Sequence, residues 1–134
     1  MINRFYLAAF FALLLGQAPA AHAKELIKQF SGSRSTNTAE FDVHAPWIMD
    51  WLVTGDPSQV VAVDISLINA DTGAYQGEVL RTKTAGNGVR LFKQSGHFYF
   101  RVNATMMNWQ LKVIQLTNAE AEQYTPKHKS SVNW

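Results

Sequence analysis

The stretch His97-Phe98-Tyr99-Phe100-Arg101-Val102-Asn103 alternates between apolar side chains and side chains that carry polar groups. Successive side chains of a β-strand point to opposite faces, so Phe98, Phe100 and Val102 lie on one face and the other four residues on the opposite face. A strand of this kind has one face on a core and one face in solvent. The stretch therefore predicts a strand of an antiparallel sheet.

The same alternation recurs at residues 41–44, 47–51, 60–67 and 109–113. With residues 26–30 and the segments beside the turns, we count seven to eight short strands at regular spacing. Repeated short strands separated by turn residues are typical of sandwiches and barrels. The sequence thus predicts an all-β fold, an antiparallel β-sandwich of the immunoglobulin-like or jelly-roll-like kind.

Turn residues divide these strands. Asn87-Gly88 predicts a type I′ hairpin turn between residues 77–83 and 89–94. The run from Asn69 to Gly73 suits a type I turn followed by a glycine bulge, which would join residues 60–68 to 75–80. Pro46 cannot donate a ladder hydrogen bond, so we expect it at a strand start or a sheet edge.

One short helix is predicted near the C-terminus. Thr117 and Glu120 have the spacing of a capping box, in which each side chain bonds the backbone N–H of the other residue. The helix should run from Asn118 to about Tyr124 and end before Pro126. Residues 127–134 are expected to be a frayed tail.

The first 23 residues have the three parts of a secretory signal. A short segment with one positive charge, Arg4, precedes the apolar run Phe5 to Gly16, and Ala21 and Ala23 provide small residues for cleavage. A membrane anchor is the alternative, but a run of about 12 residues is short of the roughly 20 that span a bilayer. We therefore expect cleavage after Ala23 and a single domain over residues 24–134, in the periplasm or secreted.

Composition limits the partners and the source of stability. The chain has no cysteine, so it can have neither a lipid-modified cysteine nor a disulfide, and packing of large apolar residues has to hold its core. After removal of Arg4, eleven basic residues stand against ten acidic ones. This balance predicts no electrostatic attraction to nucleic acid or anionic lipid. No later segment approaches the length that spans a bilayer, so we expect no stable membrane insertion after signal cleavage.

Asp71-Thr72-Gly73-Ala74 spells the catalytic tetrapeptide of retropepsin-like aspartic proteases, in which two such aspartates share a proton. In that family an apolar strand end precedes the aspartate, whereas Asn69-Ala70 precedes it here. A second glycine-supported motif is also missing. We interpret the tetrapeptide as a hairpin turn, and the sequence predicts no enzyme and no catalytic residue.

No metal or cofactor site is predicted. Asp42 and His44 share a strand face, where a divalent ion is an alternative to a solvated surface, but the histidines lack the spacing of a metal motif. The one glycine-rich triplet, residues 86–88, is explained by the predicted turn.

The aromatic residues offer the remaining leads. Trp47, Met49 and Trp51 share a strand face, which could be either a platform for a sugar ring or part of the core. We prefer the core for Trp51 and Trp109. Trp47 follows Pro46 at a strand end, so we expect it to be partly exposed. The polar face of the opening stretch mixes aromatic and hydrogen-bonding groups, as binding faces do. The weak binding candidates are Trp47, His97, Tyr99, Arg101 and Asn103.

Several landmarks follow one another along the chain: Phe30–Ser33, Phe41–Val43, Pro46–Trp51, Gly96–Ala104 and Asn108–Val113. In this order they resemble small exported bacterial β-sandwich domains of unassigned function, which often combine a Ser/Thr-rich opening loop, a Pro-Trp strand, a late glycine-aromatic strand and a final tryptophan strand. The resemblance implies the fold and no activity. We expect a non-catalytic exported module that binds a glycan or a protein; the alternative is a protein-directed envelope factor, either a hydrolase inhibitor or an assembly subunit that uses strand addition.

Overall fold

A computed structural model describes residues 24–125. The predicted signal segment, residues 1–23, and the predicted tail, residues 127–134, lie outside these described residues. Within them the chain forms nine β-strands, one short α-helix and a 3-10 turn. The elements are β1 Glu25–Gly32, β2 Thr36–Asn37, β3 Phe41–Val43, β4 Trp47–Gly55, β5 Ala62–Asn69, β6 Tyr75–Thr82, β7 Gly86–Phe92, β8 Gly96–Thr105, β9 Met107–Gln115, α1 Asn118–Ala121 and the 3-10 turn Glu122–Tyr124.

The strands form two antiparallel sheets that pack face to face. Sheet A has the order β1-β9-β4-β7, and sheet B has the order β2-β8-β5-β6, with β3 also paired to β8. Both β2 and β3 lie along the same side of β8, so together they occupy one interrupted strand position. Eight strand positions in this order make a jelly roll, one of the two predicted kinds of sandwich.

Large apolar side chains fill the space between the sheets. Trp47 and Phe92 stack with their ring centroids 4.1 Å apart, and Phe41 packs edge-on to Trp47 at 5.6 Å. From the opening stretch of the sequence, Phe98 and Phe100 are almost fully buried in the same cluster. The predicted alternation of β8 is therefore confirmed, and with it the two-sided character of sheet B.

Two turn predictions have opposite outcomes. The turn after Asn69 is confirmed, because Gly73 has a φ of +78° and its N–H donates to Asn69 O at 2.8 Å. The hairpin turn at Asn87-Gly88 was wrong: both residues lie inside β7, paired with Leu52 and Trp51 of β4. Gly88 provides room for the Trp51 indole, since a Cβ at this position would lie 2.8 Å from Trp51 Cζ2.

Strand β6 contains two irregularities that shape its edge of sheet B. Its pairing with β5 shifts at Val79 and again at Gln76, so each is an extra residue in the ladder. Val79 turns into the core, and its carbonyl oxygen accepts a hydrogen bond from Arg90 of β7 at 3.2 Å. This bond links the edges of the two sheets.

The capping box and the strand start at Pro46 are confirmed. Thr117 Oγ1 accepts from Glu120 N at 3.1 Å, and Glu120 Oε1 accepts from Thr117 N at 2.8 Å. Pro46 directly precedes β4. The helical segment continues to Tyr124 as a 3-10 turn, as far as predicted.

Candidate functional site

The predicted polar face of β8 lies on the outer side of sheet B, because the alternate residues of that strand are in the core. Pairing with the neighbouring strands extends it into rows across the sheet, since directly paired residues point to the same face. The rows are Tyr99, Ile68 and Tyr75; Asn37, Arg101, Ser66 and Glu78; and Asn103, Asp64 and Arg81. Four of the five weak binding candidates therefore share one surface.

The first row has an apolar centre. Ile68 points to the outer face and yet is 0% exposed, and its direct partners in β8 and β6 are Tyr99 and Tyr75. The cross-strand pairing therefore places one tyrosine on either side of Ile68. Tyr75 is 62% exposed and Tyr99 is partly exposed. We call Tyr75, Ile68 and Tyr99 the tyrosine ridge.

Polar groups flank the ridge on its far side. Arg101 and Asn103 are exposed and follow Tyr99 at alternate positions along β8. In the outermost row, Arg81 contacts both Asp64 and Glu78, at 3.1 and 2.9 Å. The hydrogen bond that Arg81 donates to Asp64 is the main cause that raises the pKa of Arg81, and the charges of Glu78 and Asp64 raise it further, so this group stays cationic.

On the near side of the ridge, His97 lies between two carboxylates. Its Nδ1 is 2.9 Å from Asp71 Oδ1 and its Nε2 is 3.1 Å from Glu40 Oε1. The hydrogen bond with Asp71 raises the pKa of His97, loss of hydration opposes this, and the charges of Asp42, Asp71 and Glu40 raise it further. The contact between His97 and Asp71 thus brings together two features that the sequence alone did not connect, the turn at Asp71 and the polar face of β8.

Asp71 belongs to the tip of a hairpin. Asn69 Oδ1 accepts hydrogen bonds from the N–H groups of Asp71 and Thr72, at 2.8 and 3.1 Å. The Asp71 side chain is 70% exposed and bonds to His97. The turn interpretation of the tetrapeptide is confirmed, while the prediction that the chain is not an enzyme remains a prediction.

A shallow groove beside His97 contains Asp42 and His44. Asp42 pairs directly with His97 across β3 and β8. Among residues 24–125, no three histidine or carboxylate side chains are placed to hold a metal ion. The side-chain hydrogen bond within this groove joins His97 Nδ1 and Asp71 Oδ1, and Glu40 adds an ion-pair contact to His97 Nε2.

The expected partial exposure of Trp47 was wrong. The residue is 0% exposed, its indole N–H donates to Gln94 O at 2.9 Å, and its ring stacks on Phe92. The reason is that the connection between β7 and β8 passes over this end of β4. Trp47 therefore has no free ring face for a ligand. Trp109 is buried, as expected. Of these three tryptophans, Trp51 is the partly exposed one, and it packs against the edge of the core.

Sequence reasoning missed Tyr75, Ile68 and Glu40. Tyr75 begins a strand whose two extra residues break the alternation, so its face could not be assigned. In residues 61–67 the odd-numbered positions are apolar and face the core. Ile68 is apolar at an even-numbered position, which indicates that it points to the outer face, beside Tyr99.

No protein-family model matches the chain, and no curated protein matches it in sequence. Within the described range, no helix has the length and apolar character needed to cross a membrane.

Proposed function

We propose that the chain is an exported, non-catalytic binding module that holds a glycan on the outer face of sheet B. The observation that carries this proposal is the tyrosine ridge, in which an exposed Tyr75 and a partly exposed Tyr99 flank a buried Ile68. Tyrosine combines an apolar ring with a polar hydroxyl, and such residues are typical of binding surfaces.

The surroundings of the ridge favour a sugar over an apolar ligand. A sugar ring has an apolar C–H face and a rim of hydroxyl groups. The tyrosine rings match the face, while Arg101, Asn103 and the Asp71 carboxylate can bond the rim. The two tyrosines are separated by two strand spacings, about 10 Å, on an open surface, which suits a chain-like ligand better than an enclosed small molecule.

The test measures binding to four soluble probes by calorimetry: peptidoglycan fragments, chitin oligosaccharides, a neutral glucan and a polyuronate. We expect at least one to bind and to shift the aromatic NMR signals of Tyr75 and Tyr99. Tyr75→Ala and Tyr99→Ala should each weaken that binding by more than about fivefold, the loss typical of a central contact residue.

Tyr124→Ala is the matched control, because Tyr124 is a partly exposed tyrosine in the 3-10 turn and belongs to neither sheet. It should bind like the wild type. The proposal is wrong if none of the four probes binds, or if Tyr124→Ala weakens binding as much as Tyr75→Ala does.

Strand addition by a protein partner is a second candidate, and the regular edge of β7 favours it. The other edges are blunted, since β1 and β6 contain register shifts and β2 and β3 have only two and three residues. Strand β7 pairs with β4 over seven residues with no shift, and it presents Val89 at 44% exposure.

Capture of envelope proteins by the immobilised domain tests this second candidate. Val89→Asp should abolish capture of a partner that adds a strand to β7, whereas Tyr75→Ala should leave it intact. The reverse pattern would assign a captured protein to the tyrosine ridge and contradict strand addition.

A further inference from the structure

His97 makes two side-chain contacts that a neutral imidazole cannot make together. Its Nδ1 is hydrogen-bonded to Asp71 Oδ1 at 2.9 Å, and its Nε2 makes an ion-pair contact with Glu40 Oε1 at 3.1 Å. An ionised carboxylate only accepts, and a neutral imidazole has one N–H to donate. The imidazolium form has two, so only this form satisfies both contacts.

The two carboxylates come from different parts of the chain. Asp71 is in the turn between β5 and β6, and Glu40 is in the segment between β2 and β3, whereas His97 opens β8. The side chain of His97 thus connects three segments at one end of sheet B. This connection is local, since Asp71 and Glu40 are 70% and 55% exposed.

We propose that His97 is a proton-dependent clamp, which holds both the turn at Asp71 and the segment at Glu40 when protonated and releases Glu40 when it loses its proton. The clamp does not depend on which ligand, if any, the tyrosine ridge binds.

Glu40 is the partner that should be released. The turn of Asp71 has a second attachment to the same residue, because the Ala70 N–H donates to His97 O at 2.9 Å. The contact of Asp71 is also the shorter of the two. A neutral His97 that donates from Nδ1 keeps Asp71, while its unprotonated Nε2 faces the Glu40 carboxylate, which is an unfavourable contact between two acceptors.

Other charged and titratable groups adjoin the clamp. Strand β3 contributes Asp42, the direct partner of His97, and His44 follows it along the groove. The connection before β8 contributes Ser95 to the groove. The carboxylates raise the pKa of His97, chiefly through Asp71. The clamp is therefore complete below the ordinary histidine pKa of about 6.5 and is lost as the pH rises through the raised pKa of the folded state.

The first measurement is an NMR titration of the His97 ring, whose signal is identified by its loss in His97→Gln. Glu40→Gln and Asp71→Asn should each lower the pKa of His97, because each removes a negative charge in direct contact with the ring. Asp64→Asn is the matched control: it removes a carboxylate from the same sheet face, but Asp64 pairs with Arg81, so the pKa of His97 should change less than in either clamp variant.

The second measurement follows the release itself. The carboxyl carbon signal of Glu40 should show an inflection at the pKa of His97, and this inflection should vanish in His97→Gln. Amide protection of residues 39–41, corrected for the intrinsic pH dependence of exchange, should fall roughly two- to fivefold across the same range, as expected for an exposed ion pair.

Circular dichroism of each variant verifies that it folds. The proposal is overturned if Glu40→Gln leaves the pKa of His97 unchanged, or if the Glu40 carboxyl signal passes through the pKa of His97 without an inflection. An unchanged pKa in Asp71→Asn would likewise overturn it.

Discussion

Replacement of Gly88 with alanine tests the way in which Trp51 packs at the edge of sheet A. A Cβ at residue 88 would lie 2.8 Å from Trp51 Cζ2 and 3.0 Å from its Nε1 and Cε2. Non-bonded carbon atoms are normally about 3.5–4.0 Å apart. The indole therefore has to move away from the strand that it covers, and it loses contacts with the core when it does.

We expect Gly88→Ala to lower the free energy of unfolding by about 1–2 kcal/mol, the usual range for a modest overpacking. In a domain of this size each kcal/mol lowers the Tm by roughly 4–8 °C. Urea unfolding with an unchanged m-value is the assay. Gly86→Ala is the control, because its Cβ would lie 4.0 Å from the same ring, and removal of a strand glycine there should stabilise by about 0.5 kcal/mol.

Equal stability of Gly88→Ala and Gly86→Ala would refute this explanation. A Trp51→Leu background separates two causes of any loss. If the indole is the obstacle, Gly88→Ala costs little in that background; if residue 88 needs a backbone conformation that only glycine adopts, as in the turn predicted from the sequence, the cost persists.

Two further predictions concern the end of α1 and the corner between β8 and β9. Thr117→Ala should cost about 1 kcal/mol of local stability, because the N–H of Glu120 loses its hydrogen-bond partner. Hydrogen exchange at Ala121 should accelerate while the Tm hardly changes. A large fall in Tm would contradict a purely local role. Met106 has a φ of +58° and is 60% exposed, so Met106→Asn should raise the free energy of unfolding by about 0.5 kcal/mol, since asparagine tolerates this conformation better. Met107→Asn, at a residue that is 2% exposed, should instead lower it by about 2 kcal/mol or more, and a stability loss in both variants would refute the assignment.

The fold class could be predicted because the alternation is clean in the central strands. Phe98, Phe100 and Val102 identify the inner face of β8 from the sequence, and the structure buries all three. The choice between the two kinds of sandwich could not be made, since it depends on which strands pair. That pairing joins residues as distant as Glu25 and Gln115.

The failures have separate physical causes. Asn87-Gly88 has the local signature of a turn, but its glycine serves a tertiary contact with Trp51 that no local pattern reveals. Trp47 was expected to be partly exposed from its place after Pro46, but the connection that covers it includes Gln94, far along the chain.

Of the candidate site, the sequence identified the residues on one strand and, separately, the turn of Asp71, but it missed Glu40 and Tyr75 and could not show which of these residues meet. His97 and Tyr99 follow from the alternation of β8 alone. Their neighbours Glu40, Asp71 and Tyr75 come from other segments, and cross-strand register determines which of them meet. A single sequence holds no signal for that register where irregularities interrupt the strands.

The order of the strands has a kinetic consequence. Among residues 24–125, the last two strands are β8, an inner strand of sheet B, and β9, an inner strand of sheet A. Until both have been synthesised, β1 lacks its partner, and β4–β7 and β5–β6 are two isolated strand pairs, which are marginal in water. We expect the domain to fold late and slowly, after its whole length is available. A chain that stays unfolded until it is complete suits threading through an export channel, as the predicted signal segment would require.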